Sequence, residues 1–263
     1  MRFNIADFVI EFSGDPPLEI SPLWELFRSE GGPCPNYRVT RRYSPTLPEA
    51  EGAHYFYDGV KNSHYCMSRE WEKELELTIV EEFFPWGRQI HQLYEECALP
   101  HVLLHGQRLV LHASYVAYQN AAILFTAPSG TGKSTQAELW RQYRGAEILN
   151  GDRAVVGLRG DRAYAFGFPM CGSSEYCENR SLPLTCIVSL RQGPENRIRR
   201  LIGREALKVI LNGTYADPKH PGDFSRNIEV AISLLQTPVF ELSCRPDVGA
   251  VEALEQALAQ LSP

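Results

Sequence analysis

The sequence predicts an α/β fold, a mixed sheet with helices, preceded by a β-rich N-terminal unit. Three observations carry that expectation. Ala121-Ala-Ile-Leu-Phe-Thr126 is an apolar run with the length and composition of a buried strand. It leads through Ala127-Pro-Ser-Gly-Thr-Gly-Lys133-Ser134 into a stretch that places Leu139, Trp140 and Tyr143 on one helical face. Far upstream, Leu75, Leu77 and Ile79 alternate with Glu74, Glu76 and Thr78, the period of a half-buried strand.

Phe8, Ile10 and Phe12 repeat that alternation, and His54–Tyr57 and His64–Met67 read as short strands. Residues 31–50 contain Gly-Gly-Pro-Cys-Pro and two further prolines, which predicts a loop. The first part is therefore expected to be a small antiparallel β unit. Ile90, Leu93 and Cys97 recur at helical spacing and predict a helix over 88–104. The expected division is residues 1–105 as the N-terminal unit with its connecting helix, and 106–263 as the α/β domain.

In the second part, Arg108 to Val116 and Ala121 to Thr126 predict strands. The helix after Ser134 is followed by Ala146-Glu-Ile-Leu-Asn-Gly-Asp152, a short strand ending in an acid. Ala154–Leu158 and Ala163–Phe168 predict a hairpin, and Leu184–Leu190 a β-rich apolar strand. Arg204–Leu211 and Asn227–Gln236 read as helices and Val239–Cys244 as a last strand. Val251, Leu254, Leu258 and Leu261 stripe a terminal helix, with Asp247 as its N-cap.

Composition narrows the classes of function. Hydrophobic residues make up 44% and charged residues 22% of the 263, so a sizeable core is expected. The net charge is −6 with no dense basic block, which argues against nonspecific nucleic-acid binding. No run approaches the ~20 apolar residues of a membrane span. The N-terminus meets charge too early for a signal peptide, so no membrane association and a cytoplasmic location are expected. Seven cysteines, scattered and without a Cys-x-x-Cys pair, favour small buried hydrophobes over a zinc site or a disulfide framework. Cys171 and Cys177 stand apart because they fall in a Gly/Ser-bearing segment.

The segment Ala127–Ser134 fits a phosphate-binding loop, with Ala127 where the strict pattern has Gly. In such a loop the backbone N–H groups and the helix dipole receive phosphate, Lys reaches the β- and γ-phosphates, and the Ser hydroxyl ligates Mg²⁺. Ser129, Gly130, Thr131, Gly132, Lys133, Ser134 and Thr135 are thus the expected nucleotide-binding residues, for ATP with Mg²⁺. Phosphoryl transfer also needs an acid on the metal side. Asp152 closes a short strand 18 positions after Ser134 and is the best candidate, either as base or as metal ligand with Ser134. Asn-Gly-Asp-Arg is also plain turn chemistry. His112 stands in the preceding strand, where a lone His is usually a satisfied core residue. Glu175, Glu178 and Arg180 lie in a polar loop of active-site length, and the residues alone leave open whether they face ligand or solvent.

Taken in order, these residues resemble the catalytic domain of the HPr kinase/phosphorylase family, a relative of ATP-dependent phosphoenolpyruvate carboxykinase. His112 stands at the family's spacing before the loop, Ala127–Ser134 looks like its P-loop, and Asn150-Gly-Asp152 falls where its first acid belongs. Glu178-Asn-Arg180-Ser-Leu182 is similar to its Glu-x-Arg-x-Leu. The resemblance covers residues 106–190. It departs where the second acid of the family's pair is Arg153, and where two signature glycines are Ser181 and Pro183.

The resemblance implies a phosphoenolpyruvate-carboxykinase-like P-loop kinase domain. It implies ATP-dependent transfer to a hydroxyl, with Ser of a protein or peptide as the expected acceptor. Asp152, Lys133, His112, Glu178 and Arg180 would be the catalytic residues. A small-molecule hydroxy amino acid as acceptor, or a noncatalytic nucleotide-binding regulator, are the other readings, and homo-oligomerisation is left open.

Overall fold

The computed structural model describes residues 1–31, 34–93, 96–217 and 219–261, and only the backbone of residues 86 and 92. The chain is mixed α/β and divides into two compact units. The first comprises Met1–Gly106 and Asp217–Pro221, and the second Gln107–Ala216 and Gly222–Pro263.

The first unit is built on one six-stranded sheet. Its strands are β1 (Arg2–Ile5), β2 (Phe8–Gly14), β3 (Tyr37–Ser44), β4 (His54–Asp58), β5 (Ser63–Trp71) and β6 (Glu74–Val80), in the order β1-β2-β3-β6-β5-β4. Short helices α1 (Pro22–Glu25), α2 (Phe84–Gly87) and α3 (Leu99–Leu104) accompany it. The expected antiparallel unit is corrected: β2–β3 and β3–β6 are parallel pairs, and the remaining pairs are antiparallel. Alternation identifies a strand's inner face but not the direction of its neighbour. Phe3, Phe12 and Trp24 form an edge-to-face triangle with ring centroids 5.2–5.9 Å apart, the arrangement aromatic quadrupoles favour.

The expected loop over 31–50 instead contains β3. Tyr37, Val39 and Arg41 turn inward, and Pro35 and Pro45 flank the strand without entering it. Arg41 is 2% exposed and donates to the carbonyl oxygens of Gly87 and Pro16. An inward Arg breaks the pattern that announces a strand. The expected helix over 88–104 is also corrected. A 3-10 turn (Ile90–Leu93) is separated from α3 by five residues, and Ala98, whose φ of 46° is left-handed, immediately precedes α3. Pro100 lies in the first turn of α3, the one helical place where its missing N–H costs nothing.

The second unit holds β7 (Leu109–Tyr118), β8 (Ala121–Thr126), β9 (Glu147–Asn150), β10 (Arg153–Arg159), β11 (Arg162–Phe166), β12 (Ser181–Gln192), β13 (Arg197–Leu201) and β14 (Val239–Cys244). The order is β11-β10-β7-β8-β12-β14-β13, with β9 on β7. A further pairing of β11 with β12 closes β11, β10, β7, β8 and β12 into a five-stranded ring. Only β8–β12 and β12–β14 are parallel.

Helices α4 (Lys133–Arg144), α5 (Arg204–Gly213), α6 (Asp223–Ser233) and α7 (Val248–Ala259) complete the unit. Val116, Ile123, Phe125, Val188 and Leu242 pack with Trp140 of α4 and with Val251 and Leu254 of α7 in one core cluster. Trp140 is fully buried there, and truncating such a side chain typically costs about 3–5 kcal/mol. Arg144 of α4 forks onto Glu255 of α7 through bonds of 2.8 and 2.7 Å. No described helix is long and apolar enough to cross a membrane.

Candidate functional site

Strand β8 ends at Thr126, and the chain turns through residues 127–132 into α4. Gly130 (φ 75°) and Gly132 (φ 115°) take left-handed conformations that L side chains resist. A Cβ at either would meet open space, so backbone conformation and not crowding selects glycine here. The loop is pinned by a hydrogen bond from Thr131 N to Pro128 O of 3.3 Å. It delivers the first N–H groups of a 12-residue helix to one spot, where no intrahelical acceptor exists for them.

Lys133 opens that helix and is 7% exposed. Its Nζ donates to Ala127 O at 3.1 Å, across the mouth of the loop. Burial lowers its pKa from the usual lysine range, and the charge of Asp152 works in the opposite direction.

Asp152 lies in the turn after β9. Fully buried Asn150 builds that turn: its Oδ1 accepts from the backbone N–H of Asp152 (3.0 Å) and of Arg153 (2.9 Å). Its Nδ2 donates to Phe168 O and Met170 O, both at 3.1 Å. Strand β7 clamps the same turn from beneath, with Ala113 N on Asp152 O (2.9 Å) and Ser114 Oγ on Gly151 O (2.8 Å). The Asp152 side chain is thereby aimed by backbone contacts on both sides. Its Oδ1 lies 3.1 Å from His112 Nε2, and its Oδ2 lies 3.3 Å from Arg153 Nε. Burial lowers the pKa of His112, the nearby Lys133 charge adds to this, and Asp152 opposes it. The Arg153 guanidinium also covers the ring of Tyr215 at 4.8 Å. Tyr215 is held beside β7 by its N–H on Val110 O (2.8 Å).

Ser134 and Asp152 share a cavity of about 390 Å³, walled by Gly151, Cys171 and Ser173–Tyr176. Gly172 (φ 60°) brings this wall close: a Cβ there would stand 2.8 Å from Asp152 Oδ2. Tyr176 fixes the wall to α4 through its hydroxyl on Glu138 Oε1 (3.1 Å). On the opposite side of the loop, a second cavity of about 320 Å³ is lined by Gly130–Gly132, Thr135, Gly193, Cys244 and Arg245. Ser129 is exposed at the loop tip. The loop and helix start thus border two cavities, one lined by Asp152, Glu138 and Glu175 and the other by no acid.

Lys133, Ser134, Asp152 and His112 come together around this feature. Glu178 and Arg180 do not line either cavity. The Glu178 side chain is exposed, while its backbone N–H bonds Leu149 O at 2.9 Å. Arg180 pairs with Glu147 Oε2 at 2.5 Å on the surface. Sequence reasoning missed Asn150, Gly172 and Tyr215. The Asn-Gly-Asp turn pattern could have flagged Asn150 as the residue that aims Asp152; nothing nearby in sequence signals Tyr215. Cys171 and Cys177 are buried thiols, on Ser174 O (3.0 Å) and Phe168 O (3.4 Å) respectively, and burial raises the pKa of both, that of Cys177 to about 12.

No protein-family model matches the chain, and no curated protein matches it. Among solved structures it is similar to the Hpr(Ser) kinase/phosphatase from Coxiella burnetii, with a TM-score of 0.38 and 11% sequence identity, over 59% of this chain and 99% of that chain. The likeness is distant and structural, and an overlap this loose carries neither fold nor activity across.

Proposed function

We propose that the second unit is a P-loop kinase domain of the phosphoenolpyruvate-carboxykinase kind, transferring the γ-phosphoryl of ATP to a hydroxyl, with Ser of a protein or peptide as acceptor. The observation that carries this reading is the buried Lys133 at the start of α4, framed by two left-handed glycines and set beside Asp152. Lys133 donates to the neutral carbonyl of Ala127, a partner that phosphate oxygens readily replace. Ser129–Thr135 supply the N–H groups and hydroxyls for the phosphates. Ser134 and Asp152 offer hard oxygen donors to one cavity and fit Mg²⁺, which would neutralise charge on the phosphates.

Asp152 accepts the hydroxyl proton as the acceptor oxygen bonds to phosphorus and the bond to the β-phosphate oxygen breaks. His112, kept neutral by burial, steadies Asp152 Oδ1 through Nε2. The acid-bearing cavity receives the acceptor and the opposite one the rest of the nucleotide. Glu178 and Arg180 receive no role, because neither lines these cavities.

Asp152→Asn tests the assignment. It leaves ATP binding intact and lowers phosphoryl transfer from radiolabelled ATP by roughly 10²-fold or more, the scale of general-base loss. Transfer at the parent's rate removes Asp152 from the chemistry. Two observations favour other readings. A cavity of about 390 Å³ is of a size to enclose a free hydroxy amino acid. Arg153, 3.3 Å from Asp152 Oδ2, occupies the side where a second acid would help hold metal, which favours a nucleotide-binding regulator without turnover. A parent protein that binds ATP but transfers to no hydroxyl acceptor, protein or small, supports the regulator.

A further inference from the structure

Four of the seven histidines gather in the first unit, far from the phosphate-binding loop in sequence. His101 and His105 sit four residues apart, on α3 and at its C-cap, a spacing that puts both on one face. His220 belongs to the segment Asp217–Pro221, and its ring stacks on that of His101 at 3.8 Å with an interplanar angle of 16°. His54 lies 5.2 Å from the His220 ring. Their common neighbour is Glu70 on β5. Glu70 Oε2 is 2.8 Å from His101 Nε2 and 3.6 Å from His220 Nε2, and Oε1 is 3.4 Å from His105 Nε2.

We propose that Glu70, His101 and His220 bind a divalent transition metal, with Zn²⁺ the best fit, and that His105 completes the set. Donor atoms of the three lie within 4.8 Å of one another. Ligands at about 2.0–2.2 Å around tetrahedral Zn²⁺ stand roughly 3.4 Å apart, so small side-chain adjustments suffice. Two or three imidazoles and one carboxylate select Zn²⁺ over Mg²⁺ or Ca²⁺, which want oxygen alone.

The surroundings are those of a metal centre. Asp217, with its side chain 6% exposed, stands 3.2 Å from His220 Nδ1 through Oδ2. That contact orients the ring with Nε2 toward Glu70, the carboxylate–histidine–metal arrangement. Asp217 is itself set by Lys219 N on Oδ1 (2.9 Å) and His220 N on its carbonyl (3.1 Å). His105 Nε2 is buried, and its contact with Glu70 Oε1 at 3.4 Å is a long one. A cavity of about 650 Å³ reaches Tyr37 and His105, both against Glu70, and provides an entry path. The metal would fasten residues 217–221 to β5 and α3, a structural role independent of the nucleotide site.

The test uses the full chain, stripped with chelator and dialysed against Zn²⁺ or Co²⁺. One equivalent of Zn²⁺ by elemental analysis, with visible d–d bands for Co²⁺, is the expected result. His101→Gln and His220→Gln lose the bands, Asp217→Asn weakens Zn²⁺ binding about 10–100-fold, and Asp152→Asn keeps all of it. Zn²⁺ also shields His101 and His220 of the parent from diethylpyrocarbonate, a readout that needs no variant to fold. No bound Zn²⁺ and no Co²⁺ bands in the parent overturn the proposal and leave a hydrogen-bonded cluster. Undiminished binding in the two histidine variants, or no shielding of their imidazoles in the parent, overturns the location.

Discussion

Lys133→Ala separates a phosphate-binding lysine from a merely buried one. In the free protein Lys133 Nζ donates to Ala127 O, and burial already works against its charge. Removing it therefore exchanges a desolvated cation and one hydrogen bond for a smaller side chain, and the nucleotide-free melting temperature changes little. The nucleotide-bound state differs. A charge-assisted hydrogen bond contributes about 1.5–3 kcal/mol, so its loss weakens ATP binding about 10–100-fold. ATP at a hundred times the parent's Kd stabilises the folded state by about 2.7 kcal/mol. At 2–4 °C per kcal/mol, roughly the scale for a chain of this size, that raises Tm by about 5–11 °C. At the same concentration the variant stands at one to ten times its own Kd, which leaves about 0.4–1.4 kcal/mol. The ATP-dependent shift falls to between about a sixth and a half of the parent's. Differential scanning fluorimetry with and without ATP and Mg²⁺ reads both quantities. An equal ATP shift in parent and variant, or no shift in the parent at millimolar ATP, refutes the reasoning from loop geometry to nucleotide.

Arg180→Lys keeps the charge but loses the guanidinium fork. Because Arg180 pairs with Glu147 on the surface, phosphoryl transfer stays within about 2-fold of the parent and stability falls by ~0–1 kcal/mol; a 10-fold loss of turnover on an acceptor the parent uses would return Arg180 to the site. Thiol reactivity offers an independent check on burial. Cys34 is exposed, whereas burial pushes Cys177 up to about 12 and raises Cys171 and Cys186 as well. A raised thiol pKa leaves little nucleophilic thiolate at pH 8, so Ellman's reagent meets Cys34 fast in the native protein and Cys171, Cys177 and Cys186 only after denaturation. Alkylation of Cys177 at the rate of Cys34, located by peptide mapping, contradicts the packing of the 169–180 wall.

Elements whose apolar runs are bounded by turns were legible in sequence. Strand β8 matches its expected residues 121–126, and β14 its expected 239–244, because both lie in the core between other strands and read as apolar runs. Strand β3 was hidden because Arg41 faces inward and satisfies its charge with carbonyls that sequence does not show. Strand β13, rich in Arg at the sheet edge, has no apolar signature. The helix expected over 88–104 followed a sound period, but the left-handed Ala98 interrupts it. Around the candidate site, the loop and Asp152 stood out by residue type. Which way a side chain leaves a strand entry did not, and Arg180 leaves toward Glu147. Asn150 read as turn filler, whereas its four hydrogen bonds orient the acid. The histidine cluster was invisible because His220 and Glu70 are 150 residues apart, and spacing rules for metal ligands speak only of near neighbours.

The first unit draws its last five residues, Asp217–Pro221, from beyond a stretch of 110 residues that belongs to the second. A chain emerging from the ribosome therefore cannot finish its first half until most of its second half has been made. Joining ends that far apart carries a loop-closure entropy of about 4 kcal/mol, a quantity that grows only slowly with length. Residues 1–106 alone lack Asp217 and His220, which stand beside each other and reach Glu70 in the whole chain. Any recombination event that transplants this unit into another protein must carry two separated pieces of coding sequence, so it is poorly suited to travel as a cassette.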